Sequence, residues 1–188
     1  MDALPIRRTA RVLDVLVAVT FACNLIALPL VPGAVYVRFA LDGGLARIQA
    51  LLAYDVDDGL SALARTYWDV WQEPYTAALS LFLLVSGVCT ACILWQGRRV
   101  LASILRGEPF SPDNAAALRK AARCSFLIAA AALVRLVSSV WYFRSPAPLV
   151  SYNALFVPIF AMAGLLLMVM SALFRQAAEM KAENDLTI

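Results

Sequence analysis

The chain contains no histidine, and only 15% of its 188 residues are charged. Without histidine it lacks the commonest metal ligand and the usual general base. It also has no Walker phosphate loop, nucleophile elbow, zinc-ligand spacing or glycine-rich dinucleotide turn. The chain is therefore expected to be no enzyme and to need neither a cofactor nor a metal. Its net charge of +3 comes with no basic groove interleaved with aromatics, so direct nucleic-acid binding is not expected either. Cysteines are few: Cys23, Cys89, Cys92 and Cys124. Cys89 and Cys92 have the CxxC spacing but fall inside an apolar run, away from the exposed helix N-terminus that activates a thiol. All four read as small buried hydrophobes.

What the chain has in abundance is apolar length. Hydrophobic residues make up 62% of it, more than the polar groups of a soluble domain can cover. Four runs stand out, Val12–Val31, Tyr75–Trp95, Ser125–Phe143 and Tyr152–Phe174. Each approaches the roughly 20 residues that a helix rising ~1.5 Å per residue needs to cross a hydrocarbon core of ~30 Å. The expected fold class is all-α: a polytopic membrane protein forming a single four-transmembrane-helix bundle. Its spans cover about 12–34, 75–97, 123–143 and 152–174, with an outer loop over 37–74, a cytoplasmic hairpin over 98–122 and a cytoplasmic tail over 175–188. The first run has a basic flank like that of a secretory signal, yet it exceeds the ~7–15 residues of a signal's apolar region and reads as a retained span.

The basic residues set the orientation. Eleven of the sixteen fall before the first span, between spans two and three, or after span four; the other side has four, diluted by Asp and Glu. Both termini are expected to be cytoplasmic, in a bacterial plasma membrane. Tyr36, Tyr67, Trp68, Trp71, Tyr75, Trp141, Tyr142 and Tyr152 cluster at the outer ends of the spans, where amphipathic rings fix depth. In the outer loop, apolar residues recur at helical spacing on either side of an Asp55–Gly59 turn, predicting two short amphipathic extracytoplasmic helices. Asp55, Asp57 and Asp58 read as a solvated turn, because the remaining ligands of a calcium loop are missing.

On the cytoplasmic side the second helix is predicted to run on to a stop at Gly107 and Pro109. Ser111-Pro112-Asp113 then supplies an N-cap, a first-turn proline and an acid facing the positive helix end. The fourth helix should continue past Phe174 to about Glu183. These cytoplasmic helix extensions project together beyond the membrane. Pro29 and Pro158 predict kinks or interrupted backbone near the outer helix ends, which could line a cavity. Gly164 and the alanines at 129–132 permit close helix contacts.

Arg135 is the outlier. It falls near the middle of the third span, where a charge costs at least ~2.5–3.5 kcal/mol on insertion scales. No Asp or Glu lies at matching depth in any span. Asn24, mid-depth in span one, is the polar group best placed to accept from the guanidinium, and Ser138 and Ser139 lie about one turn away. These four residues are the candidate site, for an anionic ligand, a lipid headgroup or a gating contact. The competing reading is that Arg135 snorkels or bonds carbonyls and orders the bundle.

Gly107-Glu108-Pro109-Phe110-Ser111-Pro112-Asp113-Asn114, with Leu118-Arg119 following, resembles the G-x-P-F-x-x-x-N…L-R signature of the YoaS-like bacterial membrane proteins, domain of unknown function twenty-nine seventy-five. The ending Phe174–Ile188, closing on Asp185-Leu186-Thr187-Ile188, resembles that family's tail. The resemblance implies four spans and no assigned activity. It also implies a partner, because such proteins are often encoded beside a small helix-turn-helix regulator. Pro109, Phe110, Asn114, Arg119, Asp185, Leu186 and Thr187 are then the candidate docking residues. Two functions follow. The first is a noncatalytic membrane sensor that docks a cytoplasmic DNA-binding regulator. The second is a small transporter, channel subunit or amphiphile-binding protein built around Arg135, in contact with membrane lipid and assembled as a homo-oligomer.

Overall fold

A computed structural model describes residues 3–42, 68 and 70–185. It contains four long helices: α1 (Ala3–Asp42), α2 (Pro74–Arg106), α3 (Pro112–Phe143) and α4 (Phe156–Asp185). Two 3₁₀ turns, Ala147–Val150 and Tyr152–Leu155, join α3 to α4. All four helices are long and apolar enough to cross a membrane, over Arg8–Val35, Pro74–Arg106, Pro112–Phe143 and Tyr152–Asn184. The protein is all-α, with four membrane-length helices in one bundle. Its large apolar side chains face outward along every span, as expected of a surface whose solvent is lipid.

The helix ends follow the local chemistry. Gly107 takes the left-handed conformation (φ 88°) after α2, and its N–H donates to the Ile104 carbonyl at 3.0 Å. Ser111 caps α3, its hydroxyl accepting from the Asn114 backbone N–H at 3.3 Å, with Pro112 at the first position and Asp113 in the first turn. The backbone is not interrupted at Pro29. Pro29 and Pro32 lie within one continuous α1, which runs on to Asp42, beyond the predicted end of the first span. A broken helix would present its carbonyls and amides to hydrocarbon that cannot hydrogen-bond them, which favours continuity over a break. The fourth helix begins at Phe156 rather than Tyr152, so Pro158 falls in its first turn, where the missing N–H has no intrahelical acceptor to lose. The amphipathic helices expected within the outer loop fall on residues outside those described.

Each helix packs antiparallel on its neighbour in sequence. Asp14 meets Arg98, Phe21 meets Trp95 and Leu28 meets Gly87 along the α1–α2 seam. Ser103 meets Asn114 and Tyr75 meets Tyr142 along α2–α3. Ala115 meets Ser171 and Phe126 meets Gly164 along α3–α4. Among the described residues, α1 touches α2 alone. α2 and α3 are therefore each packed on two sides, and α3 carries more of the buried residues. Small residues make that possible: Ala115, Ala121, Ala122, Ser125, Ala129 and Ala132 are all buried and let both neighbouring backbones approach.

Candidate functional site

The α2–α3 turn sets the register of the whole seam. The spacing that pairs Ser103 with Asn114 near the turn places Phe82 opposite Arg135, at equal distance from it along each helix. The Arg135 guanidinium carbon lies 4.9 Å from the centre of the buried Phe82 ring, a cation–π contact. Phe82 in turn meets Phe156 of α4 edge-on at 6.3 Å. Arg135 is eight residues from the end of α3, or about 12 Å along the axis. Its side chain spans part of that depth, and the Tyr75 side chain at the start of α2 interacts with it.

Two clefts meet at Arg135. The first, about 450 Å³, runs from Ala132 and Leu136 past Arg135, Tyr75 and Ser139 to Ser145, Ser151 and Asn153 of the α3–α4 connection. The second, about 340 Å³, shares Tyr75, Arg135 and Ser139 and is otherwise walled mainly by Ala78, Leu79, Val137 and Trp141. One arginine thus stands between a recess of mixed lining, where Ser139, Ser145, Ser151 and Asn153 stand among apolar side chains, and a more apolar slot. Among the described residues no carboxylate lies within ion-pair distance of it. The nearest acid of the seam, Glu73, accepts instead from the Tyr142 hydroxyl at 2.9 Å. The arrangement can hold an anion at the guanidinium and a hydrocarbon chain beside it.

The expected site residues divide. Ser138 and Ser139 line the clefts, but their hydroxyls donate to the carbonyls of Val134 (2.8 Å) and Arg135 (2.9 Å) on their own helix. They supply polarity through their remaining lone pairs. Asn24 is not brought to Arg135. It packs on Gly87, its Oδ1 3.6 Å from where a Cβ of that residue would stand, on a helix that among the described residues touches only α2. Equal depth in the membrane did not make the two residues neighbours, because α2 separates them. Tyr75, Phe82 and Asn153 are the residues that sequence reasoning missed here. Reflecting α2 onto α3 about the Gly107–Ser111 turn would have found Phe82, and it sets Tyr75 opposite Tyr142.

At the opposite end, the hairpin motif is engaged in its own architecture. The Asn114 side-chain amide, 3% exposed, donates to the Pro109 carbonyl at 2.7 Å and to the Ser103 hydroxyl. Phe110, half-exposed, packs its ring 5.6 Å from that of Phe174 on α4. Arg119 is exposed beside Lys120. Asp185 ends α4, and Leu186 and Thr187 lie outside the described residues. The thiols also gather in an unexpected way: Cys124 of α3 interacts with both Cys89 and Cys92 of α2, all three are free, and Cys23 is exposed on the outward face of α1.

A protein family described as of unknown function, DUF2975, matches residues 60–188, more than half of the chain. The chain belongs to this family. The DUF2975 match takes in α2, α3, the connection and α4, and with them the hairpin motif and every residue around Arg135; α1 lies before it. No curated protein and no solved structure matches the chain.

Proposed function

We propose that this DUF2975 protein is a noncatalytic integral membrane protein that captures an anionic amphiphile at Arg135. The observation that carries this reading is the junction of a mixed recess, holding several hydroxyls and an amide, and a more apolar slot at one mid-span guanidinium without a carboxylate partner among the described residues. A buried positive charge in lipid is costly. Phe82 offsets part of that cost through its ring face, and a bound carboxylate or phosphate offsets more while its chain fills the slot. The recess falls within the ~300–1,000 Å³ of ordinary ligand sites. Both clefts are lined only from the half of α2 and α3 nearest the α3–α4 connection, which favours a binding site over a continuous pore. The Lys/Arg imbalance supports a reading in which this half faces outward and the hairpin lies in the bacterial cytosol.

Docking of a cytoplasmic DNA-binding regulator is the second reading. Exposed Phe110 and Arg119 favour it, whereas Pro109 and Asn114 are occupied within the hairpin. The two readings combine if the amphiphile alters the hairpin face.

The test is titration of the protein, purified in a neutral maltoside detergent, with dodecyl phosphate and with uncharged dodecanol, read by tryptophan fluorescence, since Trp141 lines the slot. Dodecyl phosphate should give a saturable change, and Arg135→Gln should weaken it about tenfold or more, equivalent to ~1.4 kcal/mol. Arg135→Lys should fall between. Equal responses to the two compounds, or an unchanged response in Arg135→Gln, would rule out the proposal.

A further inference from the structure

A second concave site lies at the hairpin end and takes no part in the Arg135 clefts. Arg119, Lys120 and Arg123 of α3 and Arg175 of α4 line a groove of about 290 Å³, floored by Pro112 and Ala115. Four cations from two helices converge there. Their spacing is held by the seam itself: the buried Ser171 hydroxyl of α4 donates to the Ala115 carbonyl of α3 at 2.7 Å. Among the described residues no carboxylate lies within ion-pair distance of Arg119, Lys120 or Arg123. Arg175 meets Glu179 at 3.3 Å, but both side chains are about 60% exposed, so that pair is easily exchanged.

We propose that this groove binds the phosphate headgroup of an anionic phospholipid. Depth decides between a lipid and an acidic protein segment. Arg123 stands two residues before the third apolar run begins at Ser125, and Arg175 directly follows Phe174, where the fourth run ends. Both cations therefore lie at the plane where hydrocarbon gives way to headgroups. Basic pockets between membrane helices at that level are suited to anionic headgroups. Arg presents a fork that matches phosphate oxygens, and three of the four cations are Arg. The start of α3 at Pro112 adds the positive end of a long helix to the same groove.

The experiment uses the full chain in neutral maltoside micelles, titrated with dioleoyl phosphatidylglycerol or the zwitterionic dioleoyl phosphatidylcholine and read by native mass spectrometry. The parent protein should retain phosphatidylglycerol about tenfold more tightly than phosphatidylcholine. The triple variant Arg119→Gln/Arg123→Gln/Arg175→Gln should lose that preference. The control Arg8→Gln/Arg99→Gln/Arg106→Gln, which removes the same charge from exposed positions at the same end, should keep it to within about twofold. Glu179→Gln, which frees Arg175, should tighten phosphatidylglycerol binding; this single change keeps the proposal falsifiable if the triple variant fails to fold. Equal loss in the groove and control variants would overturn the proposal. So would lipid binding unaffected by Glu179→Gln, or inorganic phosphate binding without any preference between the lipids. A parent with no preference for phosphatidylglycerol would also overturn it.

Discussion

Replacing Asn114 should loosen the α2–α3 hairpin more than any other single polar change there. Its amide is almost fully buried and joins three parts of the chain: its own helix, the turn at Pro109 and the end of α2 at Ser103. Asn114→Ala removes two hydrogen bonds, each with a net contribution of ~0.5–1.5 kcal/mol, so a loss of about 1–3 kcal/mol is expected. The Ser103 hydroxyl still donates to the Val100 carbonyl at 2.8 Å, and the half-buried Pro109 carbonyl can reach water, which holds the cost within that range. Asn114→Asp should cost at least as much, because a carboxylate sets acceptor against acceptor at Pro109 and brings charge into a buried position. Unfolding in mixed micelles of maltoside and dodecyl sulfate, followed by tryptophan fluorescence, measures both. A double-mutant cycle with Ser103→Ala should give a coupling of about 1 kcal/mol. Stabilities of both single variants within ~0.5 kcal/mol of the parent would refute the assignment of Asn114 as the hairpin clasp.

Three further changes probe the other seams by the same unfolding assay. Ser171→Ala breaks the buried bond to Ala115 and should cost ~0.6–1.7 kcal/mol, the range of interhelical hydrogen bonds in membranes. At Gly164 an added Cβ would stand 3.0 Å from the Phe126 ring, so Gly164→Val should destabilise by about 1–3 kcal/mol, and Phe126→Ala should relieve most of that. Tyr142→Phe, which removes only an exposed hydrogen bond to Glu73, should stay within ~0.5 kcal/mol of the parent.

The sequence carries what the solvent and the local backbone dictate. Lipid demands long apolar helices, so the four spans are legible. The stop at Gly107, the cap at Ser111 and the run of α4 past Phe174 were equally legible, because each rests on residues adjacent in the chain. Arg135 was visible as a charge without a partner at its depth. Its surroundings were not. A match in depth pointed to Asn24, but which helix lies beside which depends on packing, and Asn24 turned out to face Gly87. The clefts needed Tyr75, Ser151 and Asn153 brought together from two helices and a connection. The sequence alone marks Tyr75 as a membrane anchor; its place beside Arg135 depends on α3 packing against α2. The hairpin motif could be read as a surface for a partner; its asparagine is instead the bond that holds the turn.

Helices that touch only in order of synthesis have a simple route to assembly. Each one entering the bilayer finds its partner already there, and none must wait for a distant segment to shelter it. Among the described residues α1 hangs on α2 alone, and it precedes residues 60–188, which the family model matches. Removing it would expose one face of α2 to lipid while leaving the three-helix core, its arginine and its turn intact.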